Sequence, residues 1–190
     1  MDGYNYDELL ERAHRGAATG QEGLSAEEVE ALARRLGQTT PSWERYRLLK
    51  IFGYIGDVSY RHIVEPFLAG ADPGSAEGAL FVLCRQWGLT GQYIEPILTF
   101  MRGVPWDDEL RMVQDRAFTC ANDYLIEHPK PKLLRELIRI AEAADSNQNE
   151  RARAYDVLAN LTGESFADPV SVLDQAKARL QQEEADSERA

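Results

Sequence analysis

The sequence has only two cysteines, Cys84 and Cys120, and both lie in apolar stretches without the close pairing that metal and redox sites favour. Their scarcity argues against a disulfide framework. A chain of 190 residues does not need one, because it can bury a sizeable core. We therefore interpret both cysteines as small buried hydrophobic residues in a reducing cytoplasm.

Long hydrophobic runs are also missing. The longest uninterrupted apolar segment is Ala79–Cys84, far shorter than the ~18 residues that a membrane span requires. The N-terminal segment, Met1–Glu8, is acidic and polar, so it lacks the basic and apolar regions of a secretory signal. These absences predict a cytoplasmic protein without a membrane partner.

Positive charge is in deficit, because 21 Lys and Arg residues against 32 Asp and Glu residues give a formal net charge of −11. Such a chain repels polyanions, which makes nucleic acid and anionic membranes poor partners. A basic protein surface is the natural electrostatic complement, although the same charge would also serve solubility alone.

Catalytic signatures are absent as well. The sequence contains no GxSxG, no GxxxxGK[ST] and no HExxH motif, and its histidines, His14, His62 and His128, lie far apart. His62 follows Arg61 and is interpreted as an exposed or capping residue rather than a general base. An acidic pair such as Asp107-Asp108 is expected by chance in so acidic a chain. The sequence predicts no enzyme, no cofactor and no metal site.

Apolar residues recur at three- and four-residue spacing and alternating strand patterns are missing, so the fold class is predicted to be all-α. Ser25-Ala-Glu-Glu28 has the form of a capping box, which predicts a helix from about Ser25 to Leu36 that is closed by Gly37. Thr40-Pro41 and Asp168-Pro169 each place an N-cap residue before a proline at the first helical position.

An internal repeat is visible in the first half of the chain. Ile63–Leu68 and Tyr93–Leu98 match 30 positions apart, as IVEPFL and YIEPIL. Each string follows a glycine that ends an apolar helix, Gly56 in the first copy and Gly88 in the second. Each unit therefore reads as helix, glycine turn and helix.

Two weaker copies follow. The third copy comprises Leu110–Leu125, a turn at His128–Pro131 and Leu133–Ile140. The fourth begins at Asn149–Arg151 and continues through Ala154–Leu158, Gly163 and a final helix from Pro169 to about Leu180. Asp107-Asp108 with Leu110-Arg111, and Asn149-Glu150 with Arg151, repeat an acidic loop between units.

The repeated residues resemble a known family. Gly56-Asp57, Val64-Glu65-Pro66 and Leu68, followed by Asp72-Pro73 and Ala79-Leu80, are similar to bacterial HEAT-like repeats of the phycobilisome-lyase type. The resemblance covers about residues 42–163. The second copy departs from the pattern because Gly88 is followed by leucine, and the third has lost both the glycine and the proline.

The resemblance implies a short α-solenoid of HEAT-like helix pairs that stack into one continuous core. We predict a single helical-repeat domain over 1–190. Its parts are an N-terminal helical cap at 1–37, helix-pair repeats at 38–74, 75–106, 107–146 and 147–180, and a frayed tail at 181–190.

Glu65 and Glu95 occupy equivalent points of successive second helices, which line the concave face of HEAT-like stacks. Regular stacking would place their carboxylates about 10 Å apart; the alternative is that each carboxylate serves only its own helix dipole. Trp87 is predicted to be core, whereas Trp106, between a proline and three acids, is a partly exposed anchor or tucks under its own loop. The candidate partner-binding surface comprises Asp57, Tyr60, Glu65, Tyr93, Glu95, Trp106, Asp107, Asp108 and Glu109.

These features favour a protein-binding module over an enzyme. The leading hypothesis is a bacterial immunity protein that neutralises a cognate toxin by covering its basic surface. The alternative is a scaffold or assembly protein that holds a peptide or subunit in its concave groove. A helical-repeat DNA glycosylase or lyase is disfavoured, because such enzymes need a basic face for the phosphate backbone. The oligomeric state is left open.

Overall fold

The computed structural model describes residues 5–19, 23–107, 110–143 and 147–189. Within these ranges the chain forms ten α-helices and no β-strand, which confirms the all-α prediction. The helices are α1 (Tyr6–Thr19), α2 (Ala26–Gln38), α3 (Ser42–Ile55), α4 (Arg61–Val64), α5 (Pro73–Leu80), α6 (Ile94–Met101), α7 (Met112–Glu127), α8 (Pro131–Glu142), α9 (Gln148–Thr162) and α10 (Pro169–Arg189). A π-helix, Phe81–Gln86, continues α5. No helix in the described ranges is both long and apolar enough to cross a membrane.

The start of α2 confirms the predicted capping box. The Ser25 hydroxyl accepts a hydrogen bond from the amide of Glu28 at 3.2 Å, and the Glu28 carboxylate accepts one from the amide of Ser25 at 2.8 Å. The predicted end at Gly37 is wrong, because the helix continues through this glycine to Gln38. Gly37 is not among the glycines with positive φ, and a single glycine lowers helix stability by only about 1 kcal/mol.

The two Pro-containing helix starts differ. Asp168 caps α10 as predicted, since its carboxylate accepts from the amide of Ser171 at 3.1 Å. At α3 the prediction is one residue off: Pro41 itself is the N-cap, the helix begins at Ser42, and no side chain caps it.

Glycines end two helices where the sequence predicted. Gly56 follows α3 with φ of 74° and Gly163 follows α9 with φ of 73°, a left-handed conformation that other residues adopt at a cost. Gly88, with φ of 66°, likewise follows the helix that ends at Gln86. The structure therefore confirms the predicted end of the first helix in each of these pairs.

The second helices of the first two copies differ, although their sequences match. After Gly56 the chain forms only the four residues of α4 and then a 3-10 turn, Glu65–Leu68. Pro66 is the sixth residue from the start of α4, where its missing amide and its ring disrupt a continuing α-helix. Pro96 lies in the first turn of α6, where both are tolerated.

The predicted fraying of residues 181–190 is also wrong for the part described, because α10 continues to Arg189. The tail is rich in Gln, Glu and Ala, which are strong helix formers. Glu183 is buried and its carboxylate pairs with Arg179 at 2.8 Å, so the last turns of α10 are held against the protein.

The chain packs into two compact units, Met1–Thr90 with Pro105–Arg116, and Gly91–Val104 with Ala117–Ala190. In the first unit α3 packs against α1, α2 and α5. In the second unit α8 packs against α6, α9 and α10. The central helices supply fully buried side chains to each core: Leu48, Leu49, Ile51 and Phe52 in the first, and Leu133, Leu134 and Leu137 in the second. Cys84, Cys120 and Trp87 are buried as predicted.

Candidate functional site

The predicted surface residues fall in separate places. Asp57, Tyr60 and Glu65 follow α3 in the first unit, and Trp106 and Asp107 belong to that unit as well. Tyr93 and Glu95 belong to the second unit. Asp108 and Glu109 lie outside the described residues.

Tyr60 is the centre of an acidic patch. Its hydroxyl donates a hydrogen bond to the Glu30 carboxylate on α2 at 2.8 Å, and its ring packs on the buried Phe52 ring with centroids 5.4 Å apart. The hydrogen bond to Glu30, partial burial and the nearby charges of Glu30 and Asp57 raise the pKa of Tyr60. Both carboxylates therefore act on the same phenol.

Asp57 is held in place by the turn that Gly56 begins. Its carboxylate accepts from the amide of Ser59 at 2.9 Å, and hydrogen bonds from Ser59 hold its pKa below the ordinary value. Val58, the next residue, is 41% exposed. We name Glu30, Asp57, Val58 and Tyr60 the Tyr60 patch.

No cation in the described part of the chain pairs with the carboxylates of the Tyr60 patch. Neither Glu30 nor Asp57 forms an ion pair with a described residue, although thirteen pairs occur elsewhere in the described chain. Glu65 differs, because the Nε atom of Arg61 lies 3.3 Å from its carboxylate. The patch thus offers two uncompensated acids, a phenol and an exposed apolar side chain.

Of the two predicted site residues in the second unit, Tyr93 and Glu95, Glu95 is the exposed one. Its carboxylate pairs with the Lys132 ammonium. The expectation that Tyr93 contributes an aromatic ring to the surface is wrong, because Tyr93 is only 6% exposed. It immediately precedes α6, whose apolar residues Ile94 and Ile97 are also buried. The predicted separation of Glu65 and Glu95 stays a prediction.

Trp106 and Asp107 have different environments despite being neighbours. Trp106 is half-buried, so both interpretations from the sequence, a partly exposed anchor and a ring tucked under its own loop, stay open. Asp107 is buried, and its carboxylate accepts hydrogen bonds from the amides of Val113 and Gln114 at 3.3 and 2.9 Å. The expectation that Asp107 lies on an open acidic surface is therefore wrong, because its carboxylate caps the start of α7.

The histidines lie in unrelated surroundings. His14 packs edge-on against Tyr54, His62 is exposed with Nδ1 2.9 Å from the carbonyl of Ser59, and His128 packs against Tyr124. His62 is thus the exposed residue that the sequence predicted. Within the described part of the chain, no group of three or more His, Cys, Asp or Glu side chains is arranged to hold a metal ion.

Two features of the structure were not predicted from the sequence. Glu30 lies on the exposed face of α2, and nothing in its spacing indicated Tyr60 as its partner. In the second unit, the buried Glu136 accepts a bidentate pair of hydrogen bonds from Arg102 at 3.0 Å and another from Arg139 at 2.6 Å. Only its position on the amphipathic α8 could have hinted at this role, because Glu136 lies among buried leucines.

The environment of Glu136 predicts that the free energy of unfolding depends on pH. Burial alone would raise its pKa, but the hydrogen bonds and charges of Arg102 and Arg139 outweigh burial and lower the pKa from 4.5 to about 2. A carboxylate with a lowered folded-state pKa stabilises the protein above its unfolded pKa. Its contribution should therefore be lost as the pH falls from about 4.5 to about 2.

The measurement is urea-induced unfolding of the wild type and of Glu136→Gln between about pH 6 and about pH 2.5. The difference in unfolding free energy should shrink toward low pH. Glu28, whose pKa is also lowered to about 2, titrates in both proteins and cancels from the difference. A difference that stays constant with pH would show that Glu136 is not the titrating group.

No family model, curated protein or solved structure matches this chain. The function of this chain is therefore inferred from its own residues alone.

Proposed function

We propose that this protein is a protein-binding module that contacts a basic surface of its partner through the Tyr60 patch. The observation that carries the proposal is that Glu30 and Asp57 flank one phenol and make no ion pair with a described cation. Arginines of a partner would suit these carboxylates, because the planar guanidinium presents several donors.

The energetics favour this use of the patch. The carboxylates are exposed, so a partner cation reaches them without the large desolvation cost of a buried pair. Tyr60 and Val58 add apolar area beside the charges, and tyrosine is among the residues that dominate binding energy at interfaces. The net charge of −11 would also raise the rate of encounter with a basic protein.

The narrower proposal is a bacterial immunity protein, cytoplasmic, that neutralises a cognate toxin by covering its basic active or substrate-binding surface. Its support is the acidic charge together with the uncompensated patch. The rival within the same class is a scaffold or assembly protein, whose partner would be a subunit of a housekeeping complex. A toxin partner should be harmful to cells that lack this chain, whereas a housekeeping subunit should not.

We also propose that the helices form HEAT-like repeats. Support comes from the matched strings at Ile63–Leu68 and Tyr93–Leu98 and from the packing of consecutive helices, α8 with α9 and α9 with α10. The interrupted α4 makes the first pair an unusual member of such a series.

The proposal is tested by affinity capture of the tagged full chain from its source cells, with mass spectrometry of the retained proteins. Three baits are compared: wild type, the patch variant Glu30→Lys/Asp57→Lys, and the control variant Asp156→Lys/Glu188→Lys. The control changes the same charge at exposed positions of the second unit. Circular dichroism and thermal unfolding verify that each bait is folded.

We expect wild type and control to retain one stoichiometric basic partner, released at high salt, and the patch variant to lose it. Measured by calorimetry with the purified partner, the patch variant should bind about 30- to 100-fold more weakly, corresponding to about 2–3 kcal/mol. Equal binding by all three baits would show that the Tyr60 patch is not part of the interface. Retention of DNA rather than protein would favour the nucleic-acid alternative.

A further inference from the structure

Two cavities lie beside α1, and Tyr54 of α3 lines both of them. The first has a volume of about 350 Å³, and its lining consists of Asp7, Leu10, Glu11, His14 and Tyr54. The second has a volume of about 200 Å³, and the residues described around it are Ala13, Gly16, Ala17, Gly23, Leu24, Val29, Tyr54 and Ile55. We name them the acidic cavity and the apolar cavity. Ligand sites commonly have volumes of about 300–1,000 Å³, so the two together have the size of a small-molecule site.

The apolar cavity exists because α1 carries small residues where it faces α2 and α3. Ala13, Gly16 and Ala17 leave space that larger side chains would fill. At Gly16 the segment that leads to α2 passes so close that an added Cβ atom would lie 2.7 Å from the Cα atom of Gly23. None of the described residues that line this cavity is charged. Apolar cavities of about 150 Å³ in proteins bind benzene, so this cavity can accept an alkyl or aryl group.

The acidic cavity offers two carboxylates that the chain engages only at its surface. Asp7 and Glu11 lie one helical turn apart on α1, and their side chains are 81% and 73% exposed. Asp7 pairs with Arg47 at 2.9 Å and Glu11 pairs with Arg15 at 3.2 Å, but neither arginine is among the residues that line the cavity. Single exposed pairs of this kind are weak, so both carboxylates can accept hydrogen bonds from a further cation.

Tyr54 gives the acidic cavity an aromatic wall. Its ring packs edge-on against His14, with centroids 4.9 Å apart, and against the buried Phe81, with centroids 6.2 Å apart. These two contacts fix the orientation of the ring. The face of an aromatic ring attracts an organic cation. The acidic cavity therefore combines two carboxylates with a fixed aromatic ring, which is the chemistry that recognises an organic ammonium.

We propose that the two cavities bind a small amphipathic ammonium ion, with its alkyl or aryl group in the apolar cavity and its ammonium group beside the carboxylates of Asp7 and Glu11. The reverse orientation would bury a charge among apolar side chains, which is costly. An anionic ligand would face two carboxylates, and a neutral ligand would gain only the apolar contacts. The net charge of −11 adds a long-range attraction for cations. This site is independent of the Tyr60 patch and of the proposed partner.

The test is an NMR titration of the ¹⁵N-labelled full chain at neutral pH with three probes that share one apolar group: 4-phenylbutylammonium, 4-phenylbutan-1-ol and 4-phenylbutanoate. We expect the ammonium to bind about five- to tenfold more tightly than the alcohol, because it gains two exposed charge interactions, and the carboxylate to bind most weakly. The amide shifts should be largest in α1 and around Tyr54. Shifts that are largest elsewhere would overturn the assignment of the site, whatever the variants do.

A charge variant tests the acidic cavity. Asp7→Asn/Glu11→Gln should lower the affinity for the ammonium about five- to tenfold and leave the affinity for the alcohol unchanged. The control Asp156→Asn/Glu188→Gln removes the same charge at exposed positions of the second unit and should change neither affinity. Equal binding of all three probes by the wild type would overturn the ammonium ligand.

A filling variant tests the apolar cavity. Ala17→Phe should weaken the binding of both the ammonium and the alcohol at least about tenfold, because its ring occupies the space that the apolar group needs. Ala18→Phe, exposed on the same helix and outside the lining, should bind as the wild type does. Circular dichroism verifies that each variant is folded.

Two results would overturn this part of the proposal. The first is unchanged binding by Ala17→Phe. The second is a ligand-free wild type that sediments as a dimer which Ala17→Phe dissociates, because the cavities would then belong to an interface with a second copy of the chain.

Discussion

Replacing Glu44 with glutamine is expected to lower the free energy of unfolding by about 3 kcal/mol. Glu44 is only 3% exposed, and its carboxylate accepts hydrogen bonds from Arg35 at 2.8 and 2.9 Å and from the hydroxyls of Tyr6 and Thr39. Burial would raise the pKa of Glu44, but these partners outweigh it and lower the pKa. Glutamine has a single acceptor oxygen, and its amide would face donors.

The measurement is urea unfolding at neutral pH, with Glu27→Gln as the control. Glu27 lies on the exposed face of α2, so its substitution should change the unfolding free energy by less than about 0.5 kcal/mol. A double-mutant cycle with Arg35→Met measures the pair itself. A loss for Glu44→Gln no larger than that of the control would mean that the buried carboxylate does not hold α1, α2 and α3 together.

Replacing Arg179 with methionine should cost about 2–4 kcal/mol in the second unit. The Arg179 guanidinium donates to the carbonyls of Leu125 and Leu161 at 2.9 and 3.1 Å and to the Glu183 carboxylate at 2.8 Å. Both carbonyls lie in the last turn of a helix, where no intrahelical amide is available to them. Methionine keeps the apolar stem and removes every donor.

Hydrogen exchange and thermal unfolding would be measured for Arg179→Met and for Lys177→Met on the same helix. Lys177 is exposed and makes one surface pair, so its substitution should change stability much less than that of Arg179. In Arg179→Met, the amides of α10 should exchange faster, because the helix loses its anchor to α7 and α9. Unchanged exchange in α10 would contradict this role of Arg179.

Local signals in the sequence predicted much of the fold. The capping box at Ser25, the cap at Asp168 and the glycines after α3 and α9 act through neighbouring backbone atoms, so their effect is encoded within a few residues. The copies at Ile63–Leu68 and Tyr93–Leu98 mislead for the same reason. Their proline occupies a different position relative to each helix start, and the string itself does not specify that start.

The candidate site was predicted only in part, because its geometry depends on contacts across the chain. Asp57 and Tyr60 were identified from the turn that they follow, but Glu30 joins them from α2, thirty residues before Tyr60. Charge alone could not distinguish Asp107, whose carboxylate accepts from the first amides of α7, from Asp57, whose residue is exposed.

The π-helix that carries Phe81 also changes the angular phase of the helix to which it belongs. The amide of Trp87, the residue directly after this π-helix, donates a hydrogen bond to the carbonyl of Val82 at 2.9 Å. The acceptor is five residues back, whereas in an α-helix it would be four residues back. One surplus residue in a turn rotates the following side chains by about 100° relative to the preceding ones. The side chains that follow Phe81 therefore do not continue the angular phase of α5. Trp87 is buried and Arg85, two positions earlier, faces solvent, as expected of residues about half a turn apart.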